Sequence, residues 1–218
     1  MKNKASVDQS LSVSFSKYME KYNEMYVSLA KRIKENIKES IKKPLIVDLS
    51  AGPGFLSYEL NKILPNAKII GLDPSINMIK LANDKLYTCK ECNLVLSKVE
   101  NIPLPRSSSD IVVSRFGISS WDDPKRGLSE VYRILKYEGK VVLEVLNKDY
   151  PKLKLFLMKL HMLVKGADYK VIRYNMDCYK VAFSLSQTED LLNDVGFKII
   201  NKEEQAKDWK FLIIAVKE

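Results

Sequence analysis

The chain has 218 residues, 46% of them hydrophobic, and a formal net charge of +9. That length holds one domain with a small elaboration, and no apolar run reaches the roughly 18 residues of a membrane-spanning helix, so membrane insertion is not expected. The basic excess is diluted by glutamates, as in KRIKENIKESIKK (31–43), which reads as a solvated surface before a nucleic-acid face.

Lys2 and Lys4 are followed by no apolar block, so no secretory signal is expected and the cytoplasm is the expected location. Residues 1–16 are polar and Ser-rich and read as a loose arm. From Phe15 to Ile41, Tyr18, Tyr22, Met25, Tyr26, Leu29, Ile33 and Ile37 recur at helical spacing, predicting one or two amphipathic helices that Pro44 ends. LIVDLS (45–50) then reads as a buried strand and FLSYELNKIL (55–64) as a helix, which is half of a βαβ unit. The alternation continues with strands at 68–73, 93–99, 110–116 and 139–146 and helices at 76–86 and 124–135.

Strands alternating with helices imply a parallel sheet covered on both faces. KLKLFLMKLHMLV (152–164) is a helical piece, and the polar-aromatic residues after it fit no layer of that sheet, so 147–185 reads as an inserted lid. SQTEDLLNDVGF (186–197) is a helix with Ser186 as N-cap, Glu189 in capping-box spacing and Gly196 at its end. FKIINKEEQ (197–205) and KFLIIAVK (210–217), joined by an AKDW turn, form an antiparallel hairpin. The expected organisation is one α/β domain: 1–43 arm and cap helices, 44–146 the core, 147–185 the lid, and 186–218 the helix and hairpin that complete a seven-stranded, mostly parallel sheet.

The three cysteines suggest no disulfide framework. Cys89 and Cys92 form a C-x-x-C, but the remaining soft ligands, Cys178 and the single histidine His161, are distant in sequence, so the thiols read as structural and no metal is expected.

Chemistry concentrates in IVDLSAGPGF (46–55). In a parallel α/β sheet ligands sit outside the carboxyl ends of the strands. Gly52 and Gly54 remove Cβ atoms where a ligand would press on backbone, the next helix begins with unpaired N–H groups, and Asp48 can brace the loop or accept from a cation. Asp73 ends the next strand about twenty residues on, where a carboxylate can accept from both ribose hydroxyls. The plainer reading makes Gly-Pro-Gly a connector and Asp73 a cap for the helix beginning near Pro74 and Ser75. A dinucleotide site would prefer a third glycine where Ser57 stands.

Here the chain resembles the class I S-adenosylmethionine-dependent methyltransferases. DLSAGPG resembles the family's acid-x-Gly-x-Gly-x-Gly motif, with Ser50 at the first glycine. GLDPS resembles its second-strand acid, and Met78 lies where members often contact adenine. SKVENIPLP (97–105) resembles the segment after strand three, although Lys98 replaces an acid that accepts from the adenine amino group. DIVVSRFGISSWDDPKRGLSEVYRILKYEGKVVLEV (110–145) resembles the small-molecule branch of ubiquinone and menaquinone C-methyltransferases, the methyltransferase type 11 family. FSKYMEKY (15–22) resembles its N-terminal helix, whose tyrosine near the cofactor would be Tyr22.

The resemblance implies a Rossmann-like fold, S-adenosyl-L-methionine as cofactor with S-adenosyl-L-homocysteine as product, and cofactor-binding positions Tyr22, Asp48, Ser50, Ala51, Gly52, Gly54, Asp73, Pro74, Met78, Lys98, Val99, Glu100, Ser114, Arg115 and Phe116. The implied reaction is an in-line methyl transfer to a small molecule, for which alignment and exclusion of water suffice unless the nucleophile must lose a proton. Candidate substrate-facing residues are Tyr18, Arg115, Trp121 and His161, with Arg115 suited to a substrate anion; none stands out as a base. An RNA methyltransferase and a non-catalytic S-adenosylmethionine-binding module are the alternative readings.

Overall fold

The computed structural model describes residues 7–203 and 208–218. Asp8 accepts from the Leu11 amide at 2.7 Å and so caps the first helix, α1 (Gln9–Glu20). The first helix therefore lies well inside the expected loose arm, because its apolar face, including Leu11, Tyr18 and Met19, is buried in the core. Helix α2 (Asn23–Glu35) follows directly, burying Tyr26, Leu29, Ala30 and Ile33.

The βα alternation is present: β1 (Leu45–Leu49), α3 (Phe55–Ile63), β2 (Lys68–Asp73), α4 (Ile76–Lys85), β3 (Cys92–Leu96), β4 (Ser109–Arg115), α5 (Pro124–Ile134) and β5 (Leu135–Leu146), with β5 starting four residues before the expected 139 and β3 ending three before the expected 99. After it come α6 (Lys152–Val164), α7 (Tyr169–Lys180), α8 (Leu185–Val195), β6 (Phe197–Glu203) and β7 (Lys210–Lys217). One seven-stranded sheet runs β3-β2-β1-β4-β5-β7-β6. Its first five strands are parallel, while β7 pairs antiparallel to both β5 and β6. The strand order reverses between β1 and β4, so the loops after these strands open at the switch point where such sheets hold ligands.

Each sheet face is covered by its own core. On one side α1, α2 and α3 pack over Ile46, Ile69, Ile111 and Val113. On the other, α5 and α8 pack over Val47, Leu49, Val112 and Leu143. Strand residues alternate between the two clusters, as a pleated sheet buried on both faces requires.

Three features differ from expectation. The cap of α8 is Ser184, whose side chain accepts from the Gln187 amide at 3.1 Å while Gln187 accepts from the Ser184 amide at 3.1 Å. The capping box is thus Ser184/Gln187, two residues before Ser186/Glu189, because the register burying Thr188 and Leu192 fixes where the helix begins. Cys89 and Cys92 are joined by a disulfide, so the C-x-x-C holds the turn before β3 as a covalent staple. The polar-aromatic segment of the inserted region is a regular helix, α7, capped by Asp168 and burying Val171, Ile172 and Tyr179. Gly196 ends α8 in a left-handed conformation as its spacing implied. Of the AKDW turn, Ala206 and Lys207 lie outside the described residues.

Candidate functional site

The loop after β1 is shaped by residues that the sheet itself fixes. Ala51 donates from its amide to Leu72 O at 3.0 Å, extending the β1–β2 pairing by one step. Ser50 adopts φ 58° and Gly52 φ 55°, both left-handed. Ser50 pays the strain of a side chain there, and its hydroxyl accepts from Trp121 Nε1 at 3.2 Å.

The two glycines of the turn serve different ends. A Cβ built on Gly52 would meet only Ser50 O, at 4.0 Å, so its missing side chain leaves open space above the loop. A Cβ on Gly54 would lie 3.1 Å from the Ala82 Cβ, so that glycine lets the start of α3 pack against α4. Gly117 is a further requirement: a Cβ there would sit 2.5 Å from Ser114 Oγ and 2.6 Å from Ser50 Oγ.

Beneath the loop, Asp48 is buried and accepts from Ser57 Oγ at 2.7 Å. Burial, with a smaller contribution from the nearby Asp73 charge, pushes its carboxyl up to about 7 against the pull of the Ser57 hydrogen bonds. Ser57, which stands where a dinucleotide site would have its third glycine, is therefore the brace for this acid. Asp73 closes the loop from the side, one oxygen accepting from the Gly52 amide and the other from the Ser75 amide, each at 2.9 Å. A carboxylate has about four acceptor positions, so this acid ties down the loop and starts α4 while keeping lone pairs for a ligand's hydroxyls. Burial raises its pKa, opposed by those two amides. Pro74 beside it is exposed, and Met78 is buried one turn into α4.

After β3, Lys98 points outward and pairs with Asp122 at 2.9 Å, which raises its pKa. Glu100 is engaged too: its Oε1 accepts from the Asp122 and Asp123 amides at 2.6 and 3.0 Å. Val99 is buried against the cluster that contains Trp121. Trp121 is itself buried, its ring under Gly127, so this residue supports the loop through Ser50 and packs in the core.

At the end of β4, Ser114 is buried and donates to Leu49 O at 3.1 Å. Arg115 forms an ion pair with buried Glu144 at 2.7 Å, and its guanidinium lies 4.4 Å from the Tyr26 ring centre and 4.2 Å from that of Phe116. Glu144 also pairs with Lys210. An anionic substrate would have to displace Glu144 from a nearly dry site, so the geometry gives Arg115 a structural partner before any ligand arrives. Phe116 takes φ 59° and packs on Trp209.

Helix α1 packs against both α4 and α7. The Tyr18 and Tyr22 hydroxyls are 3.0 Å apart, and burial followed by that contact raises the Tyr18 pKa. Phe15 meets Tyr174 of α7 edge-on at 5.8 Å. Burial, then the neighbouring Cys178 and to a smaller extent the Asp73 charge, raise the Tyr174 pKa. Cys178 is pushed up to about 11 by burial, which leaves it a thiol at neutral pH. His161 is exposed on α6, whereas Leu155, Met158 and Met162 of that helix turn inward.

A left-handed loop opened by one glycine, tied to an acid at the end of the neighbouring strand, fits the amino-acid and ribose parts of S-adenosylmethionine. A family model described as a methyltransferase domain matches residues 47–143. The demethylmenaquinone methyltransferase of Lactobacillus johnsonii is 32% identical over 164 residues, covering 70% of this chain and 67% of that protein. This chain belongs to the class I S-adenosylmethionine-dependent methyltransferases. The chloroplastic 2-methyl-6-phytyl-1,4-hydroquinone methyltransferase of Arabidopsis thaliana is 36% identical over 98 residues, 45% of this chain. The match spans only 29% of that plant protein and 28% of its Spinacia oleracea counterpart. A Methanococcus maripaludis structure assigned to the S-adenosyl-L-methionine-dependent methyltransferases superposes with TM-score 0.72 and 26% identity over 100% of this chain and 96% of its own.

Three residues of this methyltransferase's cleft escape a reading by motif. Tyr26 is buried between Phe55, stacked at 5.1 Å, and Arg115. Glu144 interrupts the apolar run GKVVLEVL, and an acid within a buried strand was the available signal. Tyr174 lies in a segment whose burial comes from both α1 and α6, so no single periodicity marks it.

Proposed function

We propose that this chain transfers a methyl group from S-adenosylmethionine to a small aromatic acceptor of quinone or hydroquinone type. The observation that carries the reading is the coupling of Asp73 to Gly52, which joins the second-strand acid to the opened loop in one rigid unit. When bound, the cofactor supplies a methyl group on an electrophilic sulfonium. Residues 50–54 would hold its amino-acid end, with Asp48 below as a carboxylate that a neighbouring cation would ionise. Asp73 would accept from the ribose hydroxyls. With Lys98 drawn to Asp122 and Glu100 occupied by two amides, adenine would rest between Met78 and Val99 and meet backbone at Val99 and Glu100.

The acceptor's place is under the cap, at the ends of β4 and β5. Phe116, Tyr150, Tyr179 and Trp209 meet Leu155 and Met158 there, a set suited to a flat apolar ring. The names of the relatives above, both of which methylate quinone-type molecules, support the same class. The hydroxyl pair of Tyr18 and Tyr22, 3.0 Å apart, would orient a ring oxygen. The chain's residues need only align acceptor and donor and keep water out.

Titration calorimetry with S-adenosylmethionine tests the site. Micromolar-range binding is expected, and Asp73→Ala should weaken it about 10- to 100-fold, the usual effect of removing hydrogen bonds to a charged group. Absence of binding by the folded wild-type chain would overturn the proposal.

A further inference from the structure

Helix α6 is apolar on two opposite sides. Leu155, Met158 and Met162 face the protein. Leu153, Phe156, Leu157, Leu160, Leu163 and Val164 face outward, each between 42% and 85% exposed. Their spacing of i, i+3, i+4, i+7, i+10 and i+11 gathers them into one stripe about 120° wide. The flanks of that stripe carry Lys152 and Lys159 on one side and Lys154, His161 and Lys165 on the other, and the helix contains no acid. Exposed Tyr169 stands at the turn into α7.

We propose that α6 is a docking helix that seats the protein on an anionic phospholipid bilayer, with the stripe in the acyl boundary and the lysines among the headgroups. A broad apolar face between cationic flanks is the pattern of helices that lie in the membrane interface, and no helix among the described residues is long and apolar enough to cross. The charge pattern decides between occupants. A second copy seated on the same stripe by two-fold symmetry would bring these lysines against their own counterparts with no α6 acid to neutralise them. An anionic surface attracts a cationic flank on either side. Because the inner face of α6 is packed against the cap, docking needs no unfolding. The inference does not depend on which acceptor is methylated.

The full-length chain is sedimented with phosphatidylglycerol-containing vesicles and with phosphatidylcholine vesicles, at low and high salt. Stronger binding to the anionic vesicles, weakened by salt, is expected. Phe156→Glu/Leu160→Glu should lower that binding at least tenfold while thermal unfolding and S-adenosylmethionine affinity stay unchanged, since both side chains are exposed. Lys152→Gln/Lys159→Gln keeps the stripe and should lose roughly fivefold per lysine removed. Failure of the wild type to bind vesicles, or equal binding by the Glu variant, overturns the proposal. So does concentration-dependent dimerisation without lipid that the Glu variant abolishes, for then a second copy covers the face.

Discussion

Asp48 sits where two demands on one side chain meet. It must lie under the loop to brace it through Ser57, and that position takes it out of water. The folded protein therefore keeps its proton up to about pH 7, whereas the unfolded chain releases it in the ordinary carboxylate range. Folding takes up a proton between those limits, so this group's contribution to stability is full below about pH 4 and is lost as pH rises through about 7. The shift corresponds to on the order of 4 kcal/mol. Asp48→Asn cannot titrate, so thermal unfolding from pH 5 to 8 should show the wild type losing ground against this variant, with a constant gap at higher pH. Parallel curves would mean that Asp48 is charged throughout.

Element boundaries depend on the interplay between local signals and packing. At the start of α8 the two cap candidates are both serines, and both have a plausible partner three residues on. Ser184 wins because starting there turns Thr188 and Leu192 into the core. Ser184→Ala should cost about 1 kcal/mol in chemical denaturation and Ser186→Ala no more than about half that; the reverse order would move the cap back to Ser186. The same contrast explains what was legible. Strands β1, β2, β4 and β5 each carry a short apolar core (LIV, II, IVV and VVL) near glycine or proline breaks, and their helices carry one clear apolar face, so element type could be read. Helix α6 matches the helical piece expected at 152–164, whereas α7 packs against both α1 and α6, so a single-face periodicity does not describe it. The site divides along the same line. Asp48, Gly52 and Asp73 lie next to one another through backbone that the strand order dictates, while the Trp121–Ser50 contact, the Arg115–Glu144 pair and the Phe15–Tyr174 ring contact join residues far apart in the chain.

At the scale of the whole molecule, the sheet delivers three loops to one edge and the helical additions close over them. The exposed cations are often paired, as in Lys38–Glu138, Lys125–Asp194 and Lys198–Glu218, so the excess charge is not gathered beside the cleft by these residues. Helix α6 carries the basic side chains Lys152, Lys154, Lys159 and His161 beside its exposed apolar stripe. The aromatic cluster of Phe116, Tyr150, Tyr179 and Trp209 beyond the ends of β4 and β5 suits a small flat acceptor better than a polymer. The central claim is tested most directly by incubating the purified chain with methyl-labelled S-adenosylmethionine and a cell extract, then fractionating the label by size, solvent extraction and nuclease sensitivity. Label should appear in low-mass, nuclease-resistant, solvent-extractable material and disappear with Asp73→Ala. Label confined to nuclease-sensitive material, or no transfer by a chain that binds the cofactor, would contradict the account.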